Sequence, residues 1–222
     1  MTLDVAVDRI LQRVAPGLSI ERTVLDSLVN TQPQPDTLAP LLAAGNPASV
    51  RAAVLYLGLY GSMAVCPLLA LCLHHRDEGV VRLAEHCLWS LWMRAGSASG
   101  NRALADAIAL MESGSVGDAL RCLEALTARE PVFAEAHFQR GLALASLDQH
   151  AEAATAYRAA LRLNPYHFAA AAALGHACVE LGDLPAAAQN YRRALKIHPR
   201  MSDVALALRQ VQALIDPPSG SA

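Results

Sequence analysis

Lysine is nearly missing from this chain. Of its 18 basic residues only Lys196 is a lysine, a bias that, with abundant alanine and leucine, marks a GC-rich, bacterial type of genome. An excess of charge of one sign is missing too. Residues 1–99 carry 7 basic and 8 acidic side chains and residues 100–222 carry 11 and 12, so the formal charge of -2 is spread evenly. That leaves no basic stripe for nucleic acid or an anionic membrane. Aromatic residues make up 5% and charged ones 17%, yet 54% of the chain is hydrophobic, which excludes intrinsic disorder. At 222 residues there is material for one large or two small domains.

Paired cysteine spacing is likewise lacking. Cys66, Cys72, Cys87, Cys122 and Cys178 are odd in number, contain no CxxC and lie in apolar segments, which points to a reducing, cytoplasmic interior. Asp4 and Asp8 stand where a secretory signal needs a basic region followed by an apolar run, so secretion is not expected. One long apolar run exists, the 22 uncharged residues from Ala52 to Leu73. Its length matches a membrane span, but Gly61-Ser62 at its middle and Pro67 beyond favour two helices joined by a turn.

Catalytic signatures are absent: there is no GxSxG, no HExxH and no glycine-rich phosphate loop. No cysteine shows the orienting base or electropositive setting of a nucleophile. Glu112, Asp118, Glu180 and Asp183 lie near turns and read as solvated. Cys72, His74, His75, His86 and Cys87 form the one dense group of metal-ligating types, but neighbours on a helix are about 100° apart, so neither adjacent pair converges on an ion. Neither enzyme activity, nor a metal, nor a cofactor is expected. Trp89 and Trp92, at the end of the last N-terminal helix, are expected to form the junction core joining the two kinds of helical segment.

What is present is a period. Pro131, Pro165 and Pro199 stand 34 residues apart, as do Ala119, Ala153 and Ala187, then Leu123, Tyr157 and Tyr191, then Ala107, Gly141 and Gly175, and Gly114, Asp148 and Gly182. These residues resemble the tetratricopeptide repeat, a helix–turn–helix unit with a small residue in its first helix, alanine and an aromatic in its second, and a closing proline. Phe168 to Pro199 is the best copy, Ala134 to Pro165 is nearly as good, and Gly100 to Pro131 is weaker. Small residues let paired helices approach, and the larger Tyr157 and Tyr191 are expected to fill the space between neighbouring units. Met201 to Ile215, with Ser202 as a plausible N-cap, reads as a capping helix, and 217–222 as a disordered tail.

Residues 1–95 follow a looser grammar. Asn46-Pro47 and Asp77 open two long helices, each preceded by a shorter one, Asp36 to Ala44 and Ala64 to His75, containing Pro40 and Pro67; Val50-Arg51 matches Val81-Arg82. This pattern resembles HEAT-type repeats. The two resemblances together imply an all-α fold, an α-solenoid: a right-handed superhelix of antiparallel helix pairs, with HEAT-like repeats in 1–95, a linker at 96–100, three tetratricopeptide units and a cap in 101–216, and the tail at 217–222.

In tetratricopeptide arrays the first helix of each pair lines a concave groove. Carried over, the resemblance implies a partner-binding face of Asn101, Leu104, Ile108 and Met111, then Glu135, Phe138, Leu142 and Ser146, then Ala169, Ala172, His176 and Glu180. The subclass that clamps a ligand's terminal carboxylate has cations where this chain has Leu104, Phe138, Ala172 and Ala173. The expected function is therefore a cytoplasmic protein–protein adaptor or scaffold, not engaging nucleic acid or membrane, that holds an amphipathic helix or an extended apolar segment bearing a basic residue. The alternative is an enzyme or enzyme subunit that handles a small molecule or prosthetic group in its HEAT-like half.

Overall fold

The structure is a computed structural model that describes residues 3–14 and 19–216. Among the described residues every regular element is helical and there is no strand, as the all-α expectation requires. The chain divides into two compact units, Met1–Trp92 and Met93–Ala222.

The N-terminal unit contains α1 (Leu3–Val14), α2 (Arg22–Thr31), α3 (Ala39–Ala44), α4 (Pro47–Tyr60), α5 (Cys66–Cys72) and all but the last residue of α6 (Glu78–Met93). Helix α4 is its centre. Every residue from Ser49 to Gly58 except Arg51 is buried, so the helix is apolar all round, as a helix enclosed by others must be. It meets α2, α3 and α5, and it approaches α6 at Gly58, where a side chain would collide with Cys87. Its start is fixed as the sequence indicates: the Asn46 side chain accepts from the Ser49 amide at 3.0 Å and Pro47 occupies the first turn, where no amide is needed. Asp77 caps α6 in the same way, accepting from the Val80 amide at 2.9 Å.

The uncharged run breaks where expected. Helix α4 ends at Tyr60, and Gly61 and Ser62 separate it from a 3-10 turn at Met63–Val65 that leads into α5. No helix among the described residues is long and apolar enough to cross a membrane. The short helices contain Pro40 and Pro67 as expected, but their extents differ: each starts as a 3-10 turn, Pro35–Leu38 or Met63–Val65, with the proline in the first turn of the α-helix that follows, where no amide is needed, and α5 stops at Cys72 rather than His75.

The C-terminal unit is a succession of helical hairpins: α7 (Ala98–Glu112) with α8 (Val116–Arg129), α9 (Ala134–Ala145) with α10 (His150–Leu163), and α11 (Phe168–Glu180) with α12 (Leu184–Ile197), followed by the single helix α13 (Ser202–Ile215). Each hairpin packs on the next through α8 on α9, α10 on α11 and α12 on α13. The period has a direct steric cause, and it lies within each hairpin rather than between neighbouring units as expected, because each tyrosine ring covers the small residue of its own first helix. A methyl group on Gly141 would lie 2.6 Å from Cδ1 of Tyr157, and one on Gly175 would lie 2.5 Å from Cδ1 of Tyr191. In the first hairpin the smaller Leu123 replaces tyrosine, and Ala107 takes the glycine position fully buried. The hairpin turns repeat as well: Gly114, Asp148 and Gly182 all adopt positive φ, at 83, 57 and 76°.

Helix α13 departs from the repeat at one position. Thirty-four positions after Gly175 stands Arg209, an exposed side chain in the place where Gly141 and Gly175 admit a second helix. The capping helix begins at Ser202 with Met201 as its N-cap; Ser202 is therefore the first helical residue rather than the cap. The linker is also shorter than 96–100, because Ser97 accepts from the Gly100 amide at 3.0 Å and starts α7 at Ala98. The tail at 217–222 lies outside the described residues.

Candidate functional site

Helices α7, α9 and α11 are the first members of their hairpins and touch in succession, α7 on α9 and α9 on α11. The 34-residue step therefore arranges their side chains in stripes that cross the three helices. The stripe Leu104, Phe138, Ala172 is interior, at 0, 5 and 6% exposure. These three were expected to line a groove; they are core residues. Leu104 belongs to a cluster with Ala107, Leu123, Leu126 and Phe133, and Phe138 packs on Tyr157 and on the His167 ring, with centroids 6.0 and 4.5 Å apart.

Glu135 is a second correction. Expected as an acid beside the trough, it is 1% exposed. Its Oε1 accepts from Gln139 Nε2 at 2.8 Å and its Oε2 from His167 Nε2 at 3.1 Å. The imidazole is held in that tautomer because its Nδ1 accepts from the Ala170 amide at 3.2 Å, capping α11. A buried carboxylate between two donors is a structural tie between neighbouring repeats. Asn101 is committed too: its Oδ1 accepts from the Gly96 amide at 3.0 Å and its Nδ2 donates to the Arg94 carbonyl at 3.3 Å, closing the turn before α7.

What remains at the surface lies one helical turn further along. Ile108, Leu142 and His176 form one stripe, partly or fully exposed, and Glu112, Ser146 and Glu180 form the next, all exposed. Met111 and Ala169 are half-buried, and Met111 and Ile108 rest on the Leu104 cluster. Glu112 enters this set although its position near a turn gave no hint; stepping back 34 residues from Ser146 and 68 from Glu180 finds it.

His176 is held from below. Its Nδ1 accepts from the Tyr191 hydroxyl at 2.8 Å, a hydroxyl whose pKa burial pushes up to about 12 and which therefore keeps its proton. Partial burial lowers the imidazole pKa, while Asp203 and Glu180 oppose that shift, and the ring packs edge-on against Tyr191. The neutral ring thus carries its proton on Nε2. Cys66, Cys72 and Cys178 are free thiols whose pKa burial raises, to about 12 for Cys72, the reverse of an activated nucleophile. Trp92 is buried and Trp89 half-buried against it. Among the described residues no three His, Cys, Asp or Glu side chains gather as a metal would require.

The family profile described as tetratricopeptide repeat matches residues 104–168 and 147–202. Residues 104–202 are tetratricopeptide repeats. Solved structures share this fold. The first such domain of Spaghetti (RPAP3), bound to the HSP90 peptide SRMEEVD, is 23% identical at a TM-score of 0.53, covering 55% of this chain and 97% of that one. The Sgt2 domain from Aspergillus fumigatus is 17% identical at 0.51, covering 57 and 89%. The type III secretion translocator chaperone SycD of Yersinia enterocolitica is 13% identical at 0.52, covering 65 and 98%. Comparison with curated proteins gives no match.

Proposed function

We propose that the chain is a non-enzymatic adaptor whose tetratricopeptide array holds a segment of a partner protein across α7, α9 and α11. The observation that carries this reading is the register of exposure: Leu104, Phe138 and Ala172 are closed off while Ile108, Leu142 and His176 stay accessible, giving a short row of two aliphatic side chains and an imidazole flanked by Glu112 and Glu180. An amphipathic helix or extended segment with aliphatic side chains and a basic residue complements that surface. An acidic tail such as the one bound by the Spaghetti domain does not, since no lysine or arginine stands in either exposed stripe. The peptide-bound and chaperone neighbours support a protein partner.

In this reading residues 101–216 form the partner-binding array and residues 1–95 a HEAT-like support. The repeated Val-Arg openings favour the latter: Val50 and Val81 are both buried, and Arg51 reaches Asp77 at 3.7 Å, joining the starts of α4 and α6. Four buried free cysteines favour a reducing, cytoplasmic setting.

The test is photo-crosslinking from a benzophenone side chain at Leu142, compared with one at exposed Leu163 on α10, in the native host. A discrete adduct from position 142, lost with Glu180→Lys, is the expected result. Equal adduct patterns from the two positions would refute the assignment of this face.

A further inference from the structure

The register of the repeat face does not stop at α11. Helix α13 stands where the first helix of a fourth unit would, and the 34-residue step carries three stripes onto it at Leu206, Gln210 and Leu214. All three are exposed, the leucines by 49 and 67%. Leu206 continues the row of Leu104, Phe138 and Ala172, each of which is at most 6% exposed. Phe138 is covered by the His167 ring at the entry to the following hairpin, and no hairpin follows α13 among the described residues, so the closed row opens there.

Charge at this end of the face is of one sign. Beyond the effect of burial, the strongest influence on the His176 imidazole is the carboxylate of Asp203 in the first turn of α13, ahead of Glu180 on the ring's own helix; from α12 the ring meets the Tyr191 hydroxyl. His176, Glu180 and Asp203 are all exposed. Arg209 is the one cation of α13, and it stands at the place of Gly141 and Gly175, on the side of a second helix.

Spacing then fixes the shape of what this surface takes. Neighbouring helices lie about 10 Å apart and an extended chain rises about 3.3 Å per residue, so about three residues carry a ligand from one helix to the next. In order the face offers aliphatic Leu142 on α9, the two carboxylates about His176 on α11, and the exposed leucines of α13.

We propose that the partner segment is an extended chain with a central lysine or arginine and an aliphatic residue three positions to either side, the cation held by Glu180 and Asp203 and one aliphatic side chain by Leu206 and Leu214. The inference rests on the reading of this face as the binding surface and adds α13 to it. Ammonium or guanidinium hydrogen bonds to the two carboxylates are charge-assisted, and the leucines lose water to the ligand. The pattern is the same read in either chain direction.

Selection of a phage-displayed random dodecapeptide library on the immobilised full chain tests it. The expected consensus is aliphatic-x-x-Lys/Arg-x-x-aliphatic. A fluorescein-labelled consensus peptide, followed by fluorescence anisotropy, is expected to bind about tenfold more weakly to Leu206→Ser and to Leu214→Ser. Glu180→Lys with Asp203→Lys should abolish its binding, and the same peptide with glutamate at the centre should bind that double variant and not the unaltered chain. All four positions are exposed, and circular dichroism checks that the helices are kept. No enrichment, a consensus without the central cation, or affinity indifferent to Leu206, Leu214 and Asp203 would overturn the proposal; in the last case an adduct from position 142 would leave the face on α7, α9 and α11 standing. Aliphatic residues enriched at steps of three and four would overturn it in favour of an amphipathic helix. A dimer in light scattering that Leu206→Ser dissolves would overturn it in favour of a second copy of this chain.

Discussion

The two units solve the same packing problem under different constraints. In the C-terminal unit one contact is copied: a small residue on the first helix of a hairpin admits a ring from the second, as Gly141 does for Tyr157 and Gly175 for Tyr191. In the N-terminal unit α4 is enclosed on all sides, and its close approach at Gly58 is made to the thiol of Cys87, with no counterpart at a fixed distance along the chain. A repeated contact makes stability a sum of similar terms along the array, whereas an enclosed helix makes it depend on one centre.

Breaking the comparison most severely means placing charge in the repeat core. Phe138→Glu is expected to cost about 4 kcal/mol or more, since the carboxylate would lose its water among Tyr157 and the His167 ring. Urea unfolding followed by circular dichroism should show the loss. Tryptophan emission, which comes from Trp89 and Trp92 of the N-terminal unit alone, should change less. Coincident shifts in both signals would show that the two units do not unfold separately.

Next in size is the tie between repeats. His167→Leu leaves the Glu135 carboxylate buried with one donor and is expected to cost about 3 kcal/mol. Adding Glu135→Leu should recover part of that loss, and a double-mutant cycle measures the coupling. Strictly additive effects would contradict a buried pair.

These core positions also show where sequence reading succeeds and fails. The hairpins are legible because the 34-residue step is a packing requirement, and the starts of α4 and α6 are legible because Asn46-Pro47 and Asp77 cap them through local hydrogen bonds. The surface is less so. Leu104, Phe138 and Ala172 occupy family groove positions, yet in this chain they are closed in, Phe138 by the segment leading into the following hairpin, a contact about thirty residues away. Glu135 finds its partner 32 residues on, so neither residue reveals the other by spacing within a helix.

A smaller change sharpens the comparison among repeats. Gly141→Ala should cost about 2 kcal/mol by overpacking against Tyr157. Combined with Tyr157→Leu it reproduces the Ala107–Leu123 pair of the first hairpin, and the double variant is expected to be more stable than the sum of the two singles by at least about 1 kcal/mol. Thermal or urea unfolding gives the cycle, and additivity would show that the pairs are not interchangeable.

The smallest effect concerns the turns. Asp148 adopts φ of 57° where the other two repeats have glycine, so Asp148→Gly should stabilise by about 0.5 kcal/mol, while Gly182→Ala should destabilise by about 1 kcal/mol. Equal effects at the two sites, read from urea midpoints, would deny their equivalence.

Arg209 makes α13 a poor template for copying. A 34-residue segment can be stacked on itself only where its first helix leaves room for the tyrosine of its second, and α13 carries a guanidinium stem at the place of Gly141 and Gly175. Grafting a second helix that carries tyrosine onto α13 would therefore also require the exchange of Arg209 for glycine.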